Sequence, residues 1–597
     1  MVNTRNFTLK GFLIKQEGIP KIIFNSSWAG ILVSVIIGLC TGAFAILFNL
    51  LIDFLTETYS TIGFSLFGFL PYGMWIIFIP ALGGLLVGLL VYYLANEAKG
   101  TGIPDVMEAV ALKNGFIRKR VVWVKMLAAA SSISSGASVG KEGPIVQIGS
   151  SLGSLIGQLL NINTARLRIC VACGAAAGIA ATFNAPIAGV IFAQEVILGE
   201  FVSTAFVYIV ISAVSSLVVV QTFLGDLSIF SVQQYSFNSP VELIFYVMLG
   251  VLSALTGVAF VKTLYKTEDL FNKHRVFPEW LKPAIGGLMV GIIGFKAPAV
   301  LGIGYDTIEE IFRQGVFLQT LIILIGLKII VTAITLGSGH SGGVFAPSLF
   351  IGAALGEAFG LGLTELFPSL QISPGAYAIV GMGAVVAGTT QAPISSALII
   401  FEMTRDYRII LPLLLAVVFS LLIHSYFSKG ESVFTLKLVR KGVNLKSGKD
   451  VNIMKRITVN DVMSSPVEIC LDENNVGAVI QMMHDSKHNG FPVLNNKQEL
   501  VGIITLKDIR EAPVEGIMEL KVTKLMSRKL IIAYSEDTLD DVFRKLSRYD
   551  LGHLPVVSKD NSKKLLGIVT RSDIIKAYDK QLLVHEEQEI FSNQKSS

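Results

Sequence analysis

The sequence predicts a polytopic α-helical membrane domain made of two related halves, followed by a small soluble α/β module that is itself duplicated. Charge is unevenly spread: 48 Asp, Glu, Lys and Arg fall in the first 440 residues, about 11%, and 45 in the last 157, about 29%, where soluble chains carry about 25%. Long charge-free runs recur in the first part. Both parts also align with themselves. A chain that is 52% hydrophobic, with mean hydropathy +0.64, cannot be solvated throughout, which excludes a secreted protein, a purely cytosolic enzyme and a disordered scaffold.

Residues 1–27 read as a short cytoplasmic segment in which Arg5, Lys10, Lys15 and Lys21 outweigh Glu17. The hydrophobic run that follows is too long for a signal-peptide core, and no A-x-A cleavage site succeeds it. The positive-inside rule therefore puts the N-terminus in the cytoplasm. The membrane domain is expected over 28–440. A helix needs about 20 mostly apolar residues to cross the hydrocarbon, and 29–52, 58–96, 169–194 and 201–225 contain no charged residue at all. Further apolar stretches lie near 243–261, 284–300, 318–336, 344–363, 377–400 and 409–427, three of them interrupted by one charge, Lys296, Lys328 or Glu357. The charged C-terminal region is expected in the cytoplasm too, which requires an even number of crossings.

Other bulk features narrow the function. The formal net charge of +5 is small for 597 residues and no Lys/Arg-rich run marks a nucleic-acid footprint, so nucleic acid is not an expected partner. Cys40, Cys170, Cys173 and Cys470 form no disulfide framework. No His/Cys metal spacing, nucleophile elbow or phosphate loop occurs, so neither an enzyme nor a metal site is expected. His340 sits beside a glycine cluster, but a lone His is more often structural than catalytic.

Many of the 56 glycines are clustered, as at Gly337, Gly339, Gly342 and Gly343. Such clusters with Pro break helices, and broken backbone is tolerated at membrane depth only where it is buried or lines a cavity. Aligned on itself, the chain lays 140–157 (GKEGPIVQIGSSLGSLIG) over 343–360 (GVFAPSLFIGAALGEAFG) at an offset of 203, and 174–196 over 381–403 at an offset of 207. Prolines and a glutamate align as well as glycines, which small-residue helix packing alone does not explain. In duplicated transporter folds the substrate lies between the repeats, where discontinuous helices end near the midplane. A Gly-rich turn opening a helix offers unpaired N–H groups and a positive dipole end, which suits an anion. The apolar blocks hold few carboxylates, conspicuously Glu142, Glu195 and Glu402, so a cation pathway is disfavoured.

Gly100-Thr101-Gly102-Ile103-Pro104, Gly140-Lys141-Glu142-Gly143-Pro144 and Gly342-Gly343-Val344-Phe345-Ala346-Pro347 resemble, in order and spacing, the three signature motifs of the CLC family of chloride channels and proton/chloride exchangers. The resemblance covers 28–440. It implies inverted internal repeats and a homodimer in the bilayer, each subunit with its own pathway for small anions, chloride foremost, and no required cofactor. It also implies an anion site formed by the Thr101 hydroxyl, Gly102, Ile103, Lys141 and Gly143, the backbone N–H groups of Val344 and Phe345, and an aromatic residue, Phe434. Glu142 matches the family's gating glutamate, whose carboxylate competes with an anion and leaves when protonated. A charge at the bilayer centre costs about 2.5 to 3.5 kcal/mol, so an unpaired carboxylate there calls for a role. Pairing with Lys141 is not expected, because adjacent helical residues do not face each other.

Three positions depart from the family pattern. Exchangers usually carry a second glutamate immediately after the one matched by Glu195; here that residue is Val196, which cannot take a proton. Phe434 stands where the family has a tyrosine, keeping the ring and losing the hydroxyl, and Thr101 replaces the commoner serine. Val196 favours a CLC-type chloride channel of the plasma membrane that conducts passively through the Glu142 gate. A proton-coupled exchanger of the same fold, with Glu195 in the proton path, is the first alternative, and a CBS-containing cation transporter the second. Glu195 and Glu402 follow apolar helices at equivalent positions, where a carboxylate also suits backbone donors.

After a linker over 441–454 the pattern changes to short strands and amphipathic helices, again duplicated, over 455–516 and 517–580, with a polar tail at 581–597. Gly502-Ile-Ile-Thr505-Leu-Lys-Asp508-Ile509 matches Gly567-Ile-Val-Thr570-Arg-Ser-Asp573-Ile574, Phe491-Pro492-Val493 matches Leu554-Pro555-Val556, and a Met-Ser pair precedes each. These resemble a pair of cystathionine-β-synthase (CBS) motifs, a cytoplasmic α/β module. The resemblance implies adenine-nucleotide binding through Thr505, Asp508, Thr570 and Asp573, with Arg571 as a cation near phosphate. A carboxylate suits two ribose hydroxyls; Thr and Asp at such a turn also cap the helix that starts there.

Overall fold

In hydrocarbon a backbone amide has no water to bond, so apolar runs must close their hydrogen bonds within helices. The computed structural model describes residues 27–225, 241–273, 277–313, 315–443, 454, 457–486, 488–512, 516–549 and 551–578. The N-terminal segment other than Ser27, the linker other than 441–443 and 454, and the tail over 581–597 lie outside the described residues. The chain divides into two compact units, Met1–Gly442 and Val443–Ser597.

The first half of the membrane unit comprises α1 (Ser27–Phe67), α2 (Ile79–Tyr93), α3 (Ile103–Leu112), α4 (Arg120–Ser134), α5 (Glu142–Leu159), α6 (Thr164–Phe183), α7 (Pro186–Phe192) and α8 (Ser203–Leu224). The second half repeats this series as α9 (Glu242–Lys273), α10 (Lys282–Lys296), α11 (Tyr305–Phe312), α12 (Leu318–Ser338), α13 (Phe345–Leu366), α14 (Pro374–Thr390), α15 (Pro393–Thr404) and α16 (Ile410–Ser428). A short α17 (Thr435–Arg440) closes the unit. Among the described residues eight helices are long and apolar enough to cross a membrane.

Charge-free runs are not single helices. The run over 58–96 splits because α1 continues to Phe67 and Pro71 opens a 3-10 turn, Pro71–Phe78, before α2. The run over 169–194 breaks at Asn184, left-handed with φ +55°, just before Pro186. Gln391, φ +57°, and Pro393 break its repeat mate in the same way.

Reciprocal contacts relate the halves. Gly84 on α2 lies against the Pro283 backbone of α10, while Gly287 on α10 lies against the Pro80 backbone of α2. Gly149 faces Gly174 between α5 and α6, and Gly352 faces Gly381 between α13 and α14. Such exchange is the mark of a two-fold axis between inverted repeats.

The soluble unit holds two three-stranded sheets of identical topology. In the first, β1 (Cys470–Leu471) is parallel to β2 (Gly490–Leu494), which is antiparallel to β3 (Leu500–Thr505); α18 (Val476–Ser486) joins β1 to β2, and α19 (Leu506–Arg510) follows β3. In the second, β4 (Ala533–Tyr534), α20 (Leu539–Arg548), β5 (His553–Val557) and β6 (Leu565–Thr570) repeat the pattern. The motifs interlock. Ser464 of the first bridges Ile568 on β6, and Ser527 of the second bridges Ile503 on β3.

Each half of the membrane unit also buries one lysine completely. On α4, the Lys125 Nζ donates to the carbonyls of Ala98, 3.1 Å, and Gly100, 2.7 Å. On α12, at the repeat offset, the Lys328 Nζ donates to the carbonyls of Val300, 3.0 Å, and Gly302, 3.1 Å. Both ammonium groups staple the turn that precedes a short helix, α3 or α11. Replacing Lys328 by Met leaves the carbonyls of Val300 and Gly302 without that donor, and replacing Lys125 by Met removes both of its bonds, leaving the Ala98 carbonyl only the Ser341 hydroxyl and the Gly100 carbonyl only the Gly342 N–H. Hydrogen bonds to charged groups contribute about 1.5 to 3 kcal/mol, so Lys125→Met and Lys328→Met should each lower stability by that order, read as an earlier thermal unfolding transition in detergent; an unchanged transition would refute the staple.

Candidate functional site

Proline and glycine at the helix starts bring the three motifs together. Pro104, Pro144 and Pro347 each fall in the first turn of α3, α5 or α13, where the missing N–H is no loss. Gly102, at φ +82°, precedes α3 in a conformation that L side chains rarely adopt, and a Cβ there would collide with the Gln147 side chain.

Two backbone bridges then tie the loops. The Gly140 N–H donates to the Gly343 carbonyl at 2.9 Å and the Gly343 N–H to the Gly140 carbonyl at 2.7 Å. The Gly100 N–H donates to the His340 carbonyl at 3.0 Å, and the Gly342 N–H to the Gly100 carbonyl at 3.2 Å. Gly143 sits at the junction: a Cβ on it would lie 2.6 Å from the Thr101 carbonyl oxygen and 3.1 Å from the Gly343 Cα. Thr101, Gly102, Ile103, Gly143, Val344 and Phe345 are thus neighbours, with three helix N-termini converging on them. His340 is structural: its Nε2 faces the Pro283 carbonyl at 2.9 Å and its Nδ1 the Ser132 hydroxyl at 3.3 Å.

Phe434 is fully buried and lies just before α17, its ring 6.3 Å from that of Phe345, which also meets Phe192 at 5.7 Å and Phe183 at 6.2 Å. The Tyr265 hydroxyl donates to the Val433 carbonyl at 2.6 Å, fixing the approach to Phe434. Ion pairs hold α17 on α3: Lys437 with Asp105 at 3.4 Å, and Lys441 with Asp105 and Glu108 at 3.3 Å each. The ion pairs thus place the segment that carries Phe434 against α3, the helix that follows Thr101.

Glu142 begins α5 and is completely buried. Its Oε1 accepts the Tyr305 hydroxyl at 2.6 Å. Its Oε2 has no hydrogen bond of ordinary geometry and lies so close to Gly140 that a Cβ there would overlap it. Lys141 turns away toward Asn49, whose Oδ1 accepts from Nζ at 3.2 Å, with the Tyr305 ring centroid 6.0 Å from Nζ. Tyr305, Asn49 and the two buried lysines are absent from the sequence-derived site. Extending the self-alignment backward would have pointed to Tyr305, because Gly302-x-Gly304 repeats Gly100-x-Gly102.

Glu195 stands apart from Glu142 and works as a helix cap. Its carboxylate accepts from the N–H groups of Ile394, 3.3 Å, and Ser395, 2.8 Å, and from the Ser395 hydroxyl, 2.5 Å, at the start of α15. Glu402 does the same for α7, accepting from the N–H groups of Ile187, 3.1 Å, and Ala188, 2.7 Å. Val196 is buried in the π-helical turn Ala193–Leu198 that also carries Glu195.

In the soluble unit, Thr505 and Asp508 form a reciprocal capping box on α19, with the Thr505 N–H and hydroxyl donating to Asp508 Oδ2 at 2.8 and 2.7 Å. Thr570 and Asp573 form the same pair at 2.9 and 2.8 Å. Arg571 reaches back to the carbonyls of Leu551, 2.9 Å, and Leu546, 3.4 Å. Asp508 Oδ1 accepts the Ser527 hydroxyl of the second motif at 3.3 Å. His553 on β5 abuts Gly490 on β2. Burial holds its imidazole below the usual value, and Asp508 partly opposes that.

Over 83–425 the chain matches the family model described as voltage gated chloride channel, and over 459–515 and 522–580 it matches the CBS domain. It is 38% identical over 342 residues to a ClcB-like chloride channel protein of Ralstonia nicotianae, an alignment that covers 57% of this chain and 80% of that one. It is 33% identical over 447 residues to the H(+)/Cl(-) exchange transporter ClcA of Vibrio cholerae, covering 72% and 94%. The crystal structure of a slow cyanobacterial Cl-/H+ antiporter superposes with a TM-score of 0.64 at 27% identity, over 69% of this chain and 97% of that one.

The His553 environment has a pH consequence for the soluble unit. A histidine whose folded value is depressed binds fewer protons folded than unfolded, so its contribution to stability is present at neutral pH and is lost as pH falls below about 6.5. Hydrogen exchange across β2 and β5, corrected for intrinsic rates, should lose protection between pH 7 and 5 in the full-length protein. His553→Gln should flatten that loss, and an identical pH profile in the variant would count against the assignment.

Proposed function

The chain belongs to the voltage-gated chloride channel (CLC) family and carries two CBS domains after its membrane part, and we propose that within this anion-transporting family it is a chloride channel that conducts passively through the Glu142 gate. Val196 carries the proposal. The residue after Glu195 offers no carboxylate to relay a proton from the cytoplasmic side, and the Glu195 carboxylate itself is engaged by the start of α15. A group already accepting three hydrogen bonds makes a poor proton shuttle.

The pathway we assign runs past Thr101, Gly102 and Ile103 at one end and Lys141 at the other, with Gly143 and the N–H groups of Val344 and Phe345 between them and Phe434 as the inner plug. Backbone donors at helix N-termini bind an anion without a buried cation opposite it. Glu142 occupies the position of a tethered anion. When protonated it no longer competes for those donors, and chloride passes.

The integral membrane protein is assigned to the plasma membrane as a homodimer, its membrane domain over 28–440 and both termini cytoplasmic. The CBS motifs over 455–516 and 517–580 are assigned a regulatory role, with an adenine nucleotide as ligand. Thr505, Asp508, Thr570 and Asp573 would each give up part of a capping box to hold it.

A second reading, proton-coupled exchange, is favoured by the 33% identity to a protein named H(+)/Cl(-) exchange transporter. Reversal potentials of the purified protein in liposomes separate the two. Passive conduction requires the potential to follow the chloride gradient alone; a shift on imposing a proton gradient supports the exchanger and overturns the channel. In either case Glu142→Ala should keep anion flux and abolish its dependence on external pH, measured as chloride efflux between pH 4.5 and 8. Loss of all flux in folded protein would contradict the gate.

A further inference from the structure

The protein treats the two oxygens of Glu142 differently. Oε1 accepts the Tyr305 hydroxyl at 2.6 Å, within the range of strong hydrogen bonds to carboxylate. Oε2 is buried beside Gly140 without a hydrogen bond of ordinary geometry, and the Ala346 backbone of α13 also approaches Gly140. No other side chain among the described residues hydrogen-bonds Glu142. Lys141 is adjacent in sequence, and its Nζ donates to Asn49 Oδ1 at 3.2 Å with no hydrogen bond to Glu142.

Tyr305 is rigidly mounted. It is the first residue of α11 and follows Gly304, whose φ is +89°. A Cβ on Gly304 would lie 2.8 Å from the Phe350 ring and 3.2 Å from the Lys328 Nζ. The same Nζ holds the carbonyls of Val300 and Gly302 and sits 4.8 Å from the Phe350 ring centroid. The staple that fixes Gly100 ahead of Thr101 in the first half thus fixes Gly302 ahead of Tyr305 in the second.

The halves differ in what these equivalent loops present. The first-half loop carries the Thr101 hydroxyl and ends in Ile103 at the start of α3. The second-half loop carries Ile303 and ends in Tyr305, whose hydroxyl reaches the carboxylate that stands in for an anion. We infer that Tyr305 is a positioning residue for the gate: its phenol latches Glu142 in the seated, blocking position, and opening requires this hydrogen bond to break. This rests on the reading of Glu142 as the gate. The phenol favours the ionised, seated carboxylate, so its removal eases both protonation and departure.

Chloride efflux from liposomes containing full-length wild type, Tyr305→Phe, Glu142→Ala and the double variant, measured across external pH 4.5 to 8, tests the latch. Tyr305→Phe should raise flux at pH 7 by at least about threefold, a modest part of what one hydrogen bond to a charged group can contribute, and should move the half-maximal pH upward. In the Glu142→Ala background the phenol has no carboxylate to hold, and the same substitution should change flux by less than about twofold. Tyr305→Met, a second variant without a hydroxyl, should reproduce the upward shift if Tyr305→Phe does not fold. Wild-type flux and pH profile in Tyr305→Phe, with Glu142→Ala behaving as an open gate, would overturn the latch alone. Equal loss of flux in both backgrounds would make Tyr305 structural and overturn it as well. Retained pH dependence in Glu142→Ala would overturn the gate and the latch together.

Discussion

Two backbone bridges, Gly140 with Gly343 and Gly100 with Ser341, close the broken helices of the membrane unit against one another. At this depth an unpaired amide or carbonyl has no water to turn to, and each costs several kcal/mol in hydrocarbon. A loop can interrupt a helix here only if another loop completes its hydrogen bonds. Motifs far apart in sequence are therefore physically one structure, and substituting any of the bridging residues disturbs all three. Lys125 and Lys328 extend the same solution to neighbouring carbonyls, those of Ala98, Val300 and Gly302, and Lys125 adds a second donor to the bridged Gly100 carbonyl. The same bridges bring the starts of α3, α5 and α13 together, and the first turn of a helix has N–H groups with no partner inside that helix.

Much of this was readable from residues alone, and for a physical reason. Gly and Pro at helix breaks are dictated by backbone geometry, so Gly100 to Pro104, Gly140 to Pro144 and Gly342 to Pro347 announce themselves, and the repeat offset of 203 pairs two of them. The charge deficit announces the membrane. Side chains that act across the repeat are harder to see. Lys328 reads as a lone charge interrupting an apolar run, and Tyr305 as one of 15 tyrosines; neither has a local pattern, because its partner lies on an element distant in the chain. The break inside 58–96 was missed for a related reason: apolarity marks residence in lipid, while the direction of the chain is set by one proline, Pro71.

Carboxylates illustrate how one chemistry serves two purposes. Glu195 and Glu402 cap the starts of α15 and α7, each from the opposite repeat, so the pair stitches the halves together reciprocally. Glu142 likewise faces a helix start, that of α13, but it engages one side-chain hydroxyl and leaves its second oxygen without an ordinary hydrogen bond. A carboxylate with two or three donors is part of the scaffold. One held by a single side-chain donor has fewer such bonds to break on leaving.

Duplication alone would place equivalent side chains at equivalent helix starts in both halves. The structure departs from that symmetry where the three motifs meet: Glu142 is matched by Phe345, Lys141 by Val344, and Ile103 by Tyr305. The first half contributes the buried carboxylate and the second the Tyr305 hydroxyl that donates to it, while the lysine staples, the glycine contacts and the glutamate caps are retained on both sides. Residues that satisfy backbone groups must be kept in each repeat because each repeat has the same groups to satisfy. Residues that only shape the pathway are free to diverge. The soluble unit follows the same rule: the capping boxes at Thr505 and Thr570 are preserved, whereas Gly490 is matched by His553 and Leu506 by Arg571. Loss of symmetry between equivalent positions therefore separates function from scaffold in this chain, using nothing but the chain itself.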